Sequence, residues 1–137
     1  MKKILLSAVL ALTASAAQAA PGYMYDCDMT YVKQGKGWVS PKIAFVLPGD
    51  GTVKVVDAVT LHFNKEPLPG TIVRENDKRL VITWTINNAR ADSGQTFNNF
   101  QYRASISKSS GGIELTLRPG HYDTGLRSPG SCRKRTS

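Results

Sequence analysis

Few side chains in this sequence are of a type that does chemistry, and their spacing assigns most of them to structure. His62 and His121 lie 59 positions apart, so the H-E-x-x-H pairing that sets two imidazoles on one helix face for zinc is missing. No G-x-S-x-G stretch offers a serine on a strained turn beside a base, and Ser131, between Gly130 and Cys132, reads as a turn residue. Asp26 and Asp28 are two positions apart on one extended segment and point the same way, within about 7 Å, a separation that glycoside chemistry accepts. That chemistry also needs a cleft, a raised carboxyl pKa and sugar-stacking aromatics, and the sequence displays none of them. The D-x-D-x-D-G loop of a calcium site is absent too. In His121-Tyr122-Asp123 the histidine and aspartate share one side of an extended chain, as a surface pair would. The expectation is a protein with no catalytic residue, no metal and no cofactor.

The two cysteines form neither a C-x-x-C redox pair nor a cluster with histidine. Their pairing follows from the N-terminus, where Lys2-Lys3 precedes an apolar stretch from Ile4 to Ala17 and the small residues of Ala17-Gln18-Ala19. That is the pattern of a secretory leader, residues 1–19, cut after Ala19. The apolar run is shorter than the roughly 20 residues of a spanning helix, and Pro21-Gly22 follows it. Export to an oxidising space, periplasmic or secreted, allows one intramolecular bridge, Cys27 to Cys132. It would close a loop of more than a hundred residues and stabilise the fold by about 4 to 5 kcal/mol on the chain-entropy account.

The elements that must position these residues are strands. Between Tyr23 and Leu117 the hydrophobic pattern has period two, in short runs divided by Gly, Pro, Asn and Asp. Tyr25, Cys27, Met29 and Tyr31 alternate with Asp26, Asp28 and Thr30. Trp38 to Leu47 reads as a second strand with Pro41 marking an edge or bulge near its start. Pro48-Gly49-Asp50-Gly51 predicts a hairpin into Val53-Val55-Asp57-Val59. Asp57 falls on the apolar face of that run, so either a bulge at Val55-Val56 swings it to solvent or it is a buried carboxylate with a basic or hydroxyl partner. Ala58 to Gly70 reads as a loop with one helical turn at most, and Thr71 to Arg74 as a short strand. Leu80, Ile82, Trp84 and Ile86 form a strong strand with Trp84 in the core. Asn87 to Thr96 is the longest polar connection. Two more strands carry Phe100, Tyr102, Ala104 and Ile106, then Ile113, Leu115 and Leu117. Residues 119–131 read as irregular, ending in a basic tail, Arg133-Lys134-Arg135. The expected fold is all-β in a single domain over residues 20–137: a small antiparallel barrel or compact sandwich of about seven to eight strands.

Of 137 residues 18 are Lys or Arg and 10 are Asp or Glu. Without the leader the remaining 118 residues keep 16 basic and 10 acidic side chains, a formal charge of +6. Lys33, Lys36 and Lys42 cluster near the first turn, and Arg127 joins Arg133, Lys134 and Arg135 near the other end, so the disulfide would bring two basic patches together. Such a surface attracts anions. In an exported protein these are envelope polymers, lipid head groups or an acidic envelope protein. The aromatics alternate as core positions and form no stacking platform for nucleic acid. The leading expectation is a non-catalytic binding module. The alternative is a barrel that encloses a small apolar ligand as lipocalins do, against which stand the bulky inward residues Phe45, Trp84, Phe100 and Tyr102.

With its leader, the opening Tyr25-Asp26-Cys27 and the closing Gly130-Ser131-Cys132, the chain resembles the small single-disulfide exported β proteins of Gram-negative bacteria. That resemblance implies architecture and no particular activity. A looser resemblance, to the periplasmic inhibitors of c-type lysozyme, rests on Ser93-Gly94-Gln95-Thr96-Phe97. Those proteins insert a loop with an S-G-x-x-Y-like motif into the lysozyme cleft, which would make Ser93 and Gly94 binding residues. Here the aromatic is Phe where that pattern has Tyr, and a protein of +6 would repel a basic lysozyme.

Overall fold

Period-two alternation becomes a wall of strands that closes on itself. The structure, a computed structural model, describes residues 21–30, 37–87, 89–120 and 125–136. The expected leader, Lys33, Lys36 and the His121-Tyr122-Asp123 group lie outside the described residues. The elements in chain order are β1 (Tyr23–Met29), β2 (Lys42–Leu47), β3 (Val53–Asp57), α1 (Ala58–Asn64), β4 (Leu68–Glu75), β5 (Arg79–Ile86), β6 (Ala89–Arg90), β7 (Thr96–Phe97), β8 (Phe100–Ser107), β9 (Gly112–Arg118) and β10 (Leu126–Thr136). Eight of the strands form a closed antiparallel barrel in the order β1-β10-β9-β8-β5-β4-β3-β2, and β6 with β7 is a two-stranded excursion between β5 and β8. Of the two expected architectures, barrel and sandwich, this is the barrel. Closure leaves the eight strands without a free edge.

Turn chemistry sets the meander. Asp50 accepts the backbone N–H of Thr52 at 3.0 Å between Gly49 and Gly51, both at positive φ, and β2 and β3 pair as the expected hairpin. Asn76 accepts the backbone N–H groups of Lys78 and Arg79, each at 2.9 Å, and turns β4 into β5. Gly111 joins β8 to β9 at φ 75°; a Cβ there would lie 2.6 Å from the carbonyl oxygen of Cys132, so only glycine fits.

The inward side chains fill the barrel. Trp84 is 4% exposed and stacks on Tyr102 with centroids 5.1 Å apart, while Phe45 meets Trp84 edge-on at 5.5 Å. Leu80, Ile82, Ala104, Ile106, Leu115 and Val55 are fully buried around them.

Three expectations are corrected, and the alternative left open at Asp57 is decided for the buried carboxylate with a hydroxyl partner. Asp57 does not swing out: β3 runs without a bulge, its pattern Val53, Val55, Asp57 faces inward, and the carboxylate is 5% exposed. Its reason for being there is α1, for which it is the N-cap. Ala58 to Gly70 is therefore not a loop but a seven-residue helix followed by the first residues of β4, with Pro69 and Gly70 inside the strand. Pro41 precedes β2 and does not interrupt it, offering its carbonyl to the N–H of Met29 at 2.9 Å. Much of the supposedly irregular C-terminal stretch is strand: β10 contains Pro129, Gly130 and the basic triplet Arg133-Lys134-Arg135, all paired in register with β1 or β9. Gly130 allows this because a Cβ there would collide with the carbonyl oxygen of Asp28.

Candidate functional site

The basic residues singled out in the sequence are largely engaged by the protein's own acids. Along β1 the outward residues Asp26 and Asp28 lie between β2 and β10. Lys42 Nζ is 2.8 Å from Asp28 Oδ1, Arg135 is 3.2 Å from Asp26, and Arg133 is 3.7 Å from both carboxylates. Lys42, first through its hydrogen bond and then through its charge, holds the Asp28 carboxyl below its ordinary range. Arg127 pairs with Glu114 at 3.2 Å, and the Lys134 ammonium sits 4.4 Å above the Tyr23 ring. Lys42, Arg133 and Arg135 thus come together with the two aspartates in one belt across the β2-β1-β10 seam, while Arg127 stands on the far side of β10 beside β9. The same belt spends Asp26 and Asp28 in ion pairs.

Arg103 and Arg118, which the sequence reading did not select, are among the basic side chains that have no such partner among the described residues. Arg103 on β8 and Arg118 on β9 point outward, between buried neighbours Tyr102, Ala104 and Leu117, and neither makes an ion pair among the described residues. The register places Arg103 between Thr83 and Thr116, and Gln101 between Thr85 and Arg118. Two rows of three polar side chains result, and they border a shallow cavity of about 410 Å³. The arginines sit on a diagonal of adjacent strands, about 7 to 8 Å apart at the backbone. Each guanidinium presents a planar fork that matches carboxylate or phosphate oxygens, and threonine hydroxyls and the Gln101 amide supply further donors. The residues are legible as outward positions in the sequence, but their convergence depends on a β8–β9 register that only the fold fixes.

The end of the barrel at which β3 finishes and β8 begins forms a mouth. Here α1 starts: Asp57 accepts the N–H of Thr60 at 2.7 Å, and the Asp57 N–H returns to the Thr60 hydroxyl at 3.0 Å, a reciprocal cap that satisfies two backbone donors. Burial pushes the Asp57 carboxyl up, and the hydrogen bonds from Thr60, Ser40 and Val59 pull against that. The helix delivers Phe63 parallel to Trp38 at 5.7 Å, and Trp38 stacks on Phe100 at 4.6 Å. Phe97 from β7 meets both rings edge-on at 6.0 Å. The Tyr102 hydroxyl, inside the barrel, donates to the Trp38 carbonyl at 2.9 Å. Desolvation and then the nearby Asp57 charge raise the Tyr102 phenol well above its ordinary range, so it stays a donor. Between α1 and the β6–β7 hairpin lies a cavity of about 710 Å³.

Ser93 lines that cavity, and Gly94 turns the hairpin at φ 84°, its N–H donated to the Ala91 carbonyl at 2.9 Å. Among the described residues no group of three or more His, Cys, Asp or Glu is placed to hold a metal ion. No helix of the described residues is long and apolar enough to cross a membrane. Comparison with protein families, curated proteins and solved structures finds no match.

Proposed function

We propose that this chain is an exported, periplasmic, non-catalytic binding module for an anionic envelope component, held on the outer wall of the barrel by Arg103 and Arg118. The observation that carries this reading is that the β5–β8–β9 register brings both, without an acidic partner among the described residues, to one cavity beside Thr83, Thr85, Gln101 and Thr116, while the basic residues of the seam are matched by Asp26 and Asp28. A guanidinium left free beside three threonines is prepared for oxygens from outside. The formal charge of +6 that remains without the expected leader adds long-range attraction for polyanions. The leader-like N-terminus and the Cys27–Cys132 bridge support export. Phe45, Trp84, Phe100 and Tyr102 occupy the space that a lipocalin-like carrier would give its ligand. Phe97, in the segment that resembles the lysozyme-inhibitor loop, packs on Trp38 and is not offered outward.

The test is binding to two anionic probes, polygalacturonate and phosphatidylglycerol vesicles, by the wild type, the Arg103→Ala, Arg118→Ala double variant and an Arg133→Ala control. Each lost charge-assisted contact is worth about 1.5 to 3 kcal/mol, so the double variant should bind at least one probe roughly 100-fold more weakly, with the control close to wild type. The probe that responds tells glycan from lipid head group. A double variant that binds both probes as well as the wild type overturns the reading.

A further inference from the structure

We infer that the barrel mouth is a second and separate binding site, for a small zwitterion with an apolar ring, such as an aromatic amino acid or a short peptide that contains one. Its volume, about 710 Å³, lies within the range of small-ligand sites and is too small for a folded partner. Its wall is apolar and already set. Trp38 stacks with Phe63 and with Phe100, Phe100 in turn stacks on Tyr102 at 5.2 Å, and the Tyr102 hydroxyl fixes the Trp38 backbone. A wall tied this way into the barrel core needs no ordering when a ring settles against it.

The polar groups of the site name the rest of the ligand. Arg90 and Asp92 both line the cavity. They are two positions apart on the β6–β7 hairpin, whose turn is closed by the Ala91 N–H on the Gln95 carbonyl at 2.8 Å. Neither pairs with the other, and neither has another ion-pair partner among the described residues. One unspent cation and one unspent anion beside an aromatic wall are the complement of a molecule with a carboxylate, an ammonium and an apolar body. A purely anionic ligand would meet repulsion at Asp92, and a purely apolar one would bury two charges without return. This site uses no residue of the outer-wall platform, so the two readings stand or fall apart.

The experiment compares L-phenylalanine and the Phe-Phe dipeptide with phenethylamine, which lacks the carboxylate, and 3-phenylpropionate, which lacks the ammonium. Binding is read by calorimetry and by tryptophan emission, in which Trp38 is the half-buried reporter at the mouth. The wild type is expected to saturate with at least one zwitterion and to bind each truncated analogue roughly 10-fold or more weakly, the loss of one charge-assisted contact. Arg90→Gln should erase the preference over phenethylamine, and Asp92→Asn the preference over 3-phenylpropionate. Both positions sit on an exposed hairpin, and near-ultraviolet circular dichroism of each variant checks the fold. No saturable signal from either zwitterion up to about 10 mM, a Kd well above the usual range of specific sites, overturns the inference. So does equal affinity for zwitterions and truncated analogues, or an equal loss for every probe in both variants.

Discussion

Cys27 and Cys132 stand directly opposite each other in the register by which the first strand closes on the last. The bridge therefore fastens the seam that turns an eight-stranded sheet into a barrel, and it spans 105 positions of sequence. In the unfolded chain it removes the closure entropy of nearly the whole domain. Substituting both cysteines by serine should lower stability by about 4 to 5 kcal/mol on the chain-entropy account, measured by urea unfolding with the m-value compared. The intact mass of protein purified from its own cell envelope should correspond to cleavage after Ala19 and gain two hydrogens on reduction. An unchanged unfolding midpoint in the double variant would refute the role assigned to the bridge.

Asp57 shows what a buried carboxylate costs and supplies. Burial raises its pKa above the ordinary 3.8, so in the folded protein the proton is held more tightly than in the unfolded chain. The resulting stability is fully present below that ordinary value and is lost as pH rises through the raised one. Once ionised, the group remains as a cap with a desolvation penalty. Asp57→Asn keeps an acceptor for the Thr60 N–H and removes the charge; it should match or exceed the wild type at neutral pH and flatten the pH dependence on the acid side. Asp57→Ala removes the cap and should cost about 1 to 2 kcal/mol. Urea midpoints at acid and neutral pH decide this, and equal destabilisation by both substitutions would show that the charge itself stabilises the helix.

The barrel wall was largely legible because period two survives in β1, β2, β5, β8 and β9, whose inward residues are apolar with few exceptions. β10 was not, since Pro129, Gly130 and four basic side chains hide its pattern, and its inward positions include Ser128 and Gly130. What makes it a strand is long-range: β1 and β9 on either side, and the bridge to Cys27. α1 is seven residues, too short to display a 3.6-residue period; the one local signal of its start is Asp57 followed three positions later by Thr60, a capping pair the period-two reading of β3 masked. The sites were harder still. Lys42, Arg133 and Arg135 looked like free charge because the sequence does not tell which acids lie across the seam. Arg103 and Arg118 looked unremarkable until the register set them on one diagonal.

At the end of the barrel opposite the mouth, the Tyr23 hydroxyl donates to Glu75 Oε1 at 3.2 Å, and Lys108 contacts the same oxygen at 3.3 Å. Burial, then the Glu75 charge and its hydrogen bond, push the Tyr23 phenol from 10.0 up to about 12. The group's folded value is the higher one, so the stability it contributes is present below pH 10.0 and is lost as pH rises through about 12. The difference in phenolate absorbance between the wild type and Tyr23→Phe should titrate near that upper value. Glu75→Gln removes the charge and should bring the midpoint down; a midpoint that stays in place would assign the whole shift to burial.

The hydrogen bond from Tyr102 to the Trp38 carbonyl ties the core stack of Trp84 and Tyr102 to the aromatic wall at the mouth. Tyr102→Phe preserves the stack and deletes only the hydroxyl, leaving a partly buried carbonyl without its donor, at a cost of about 1 to 3 kcal/mol. Its second effect separates positioning from packing. If the hydroxyl sets the Trp38 backbone, the variant should shift the Trp38 part of the emission while the contribution of buried Trp84 stays fixed, as the same measurement in Trp38→Phe proteins would show. If the bond only adds stability, the unfolding midpoint will fall and the emission of the folded protein will not move.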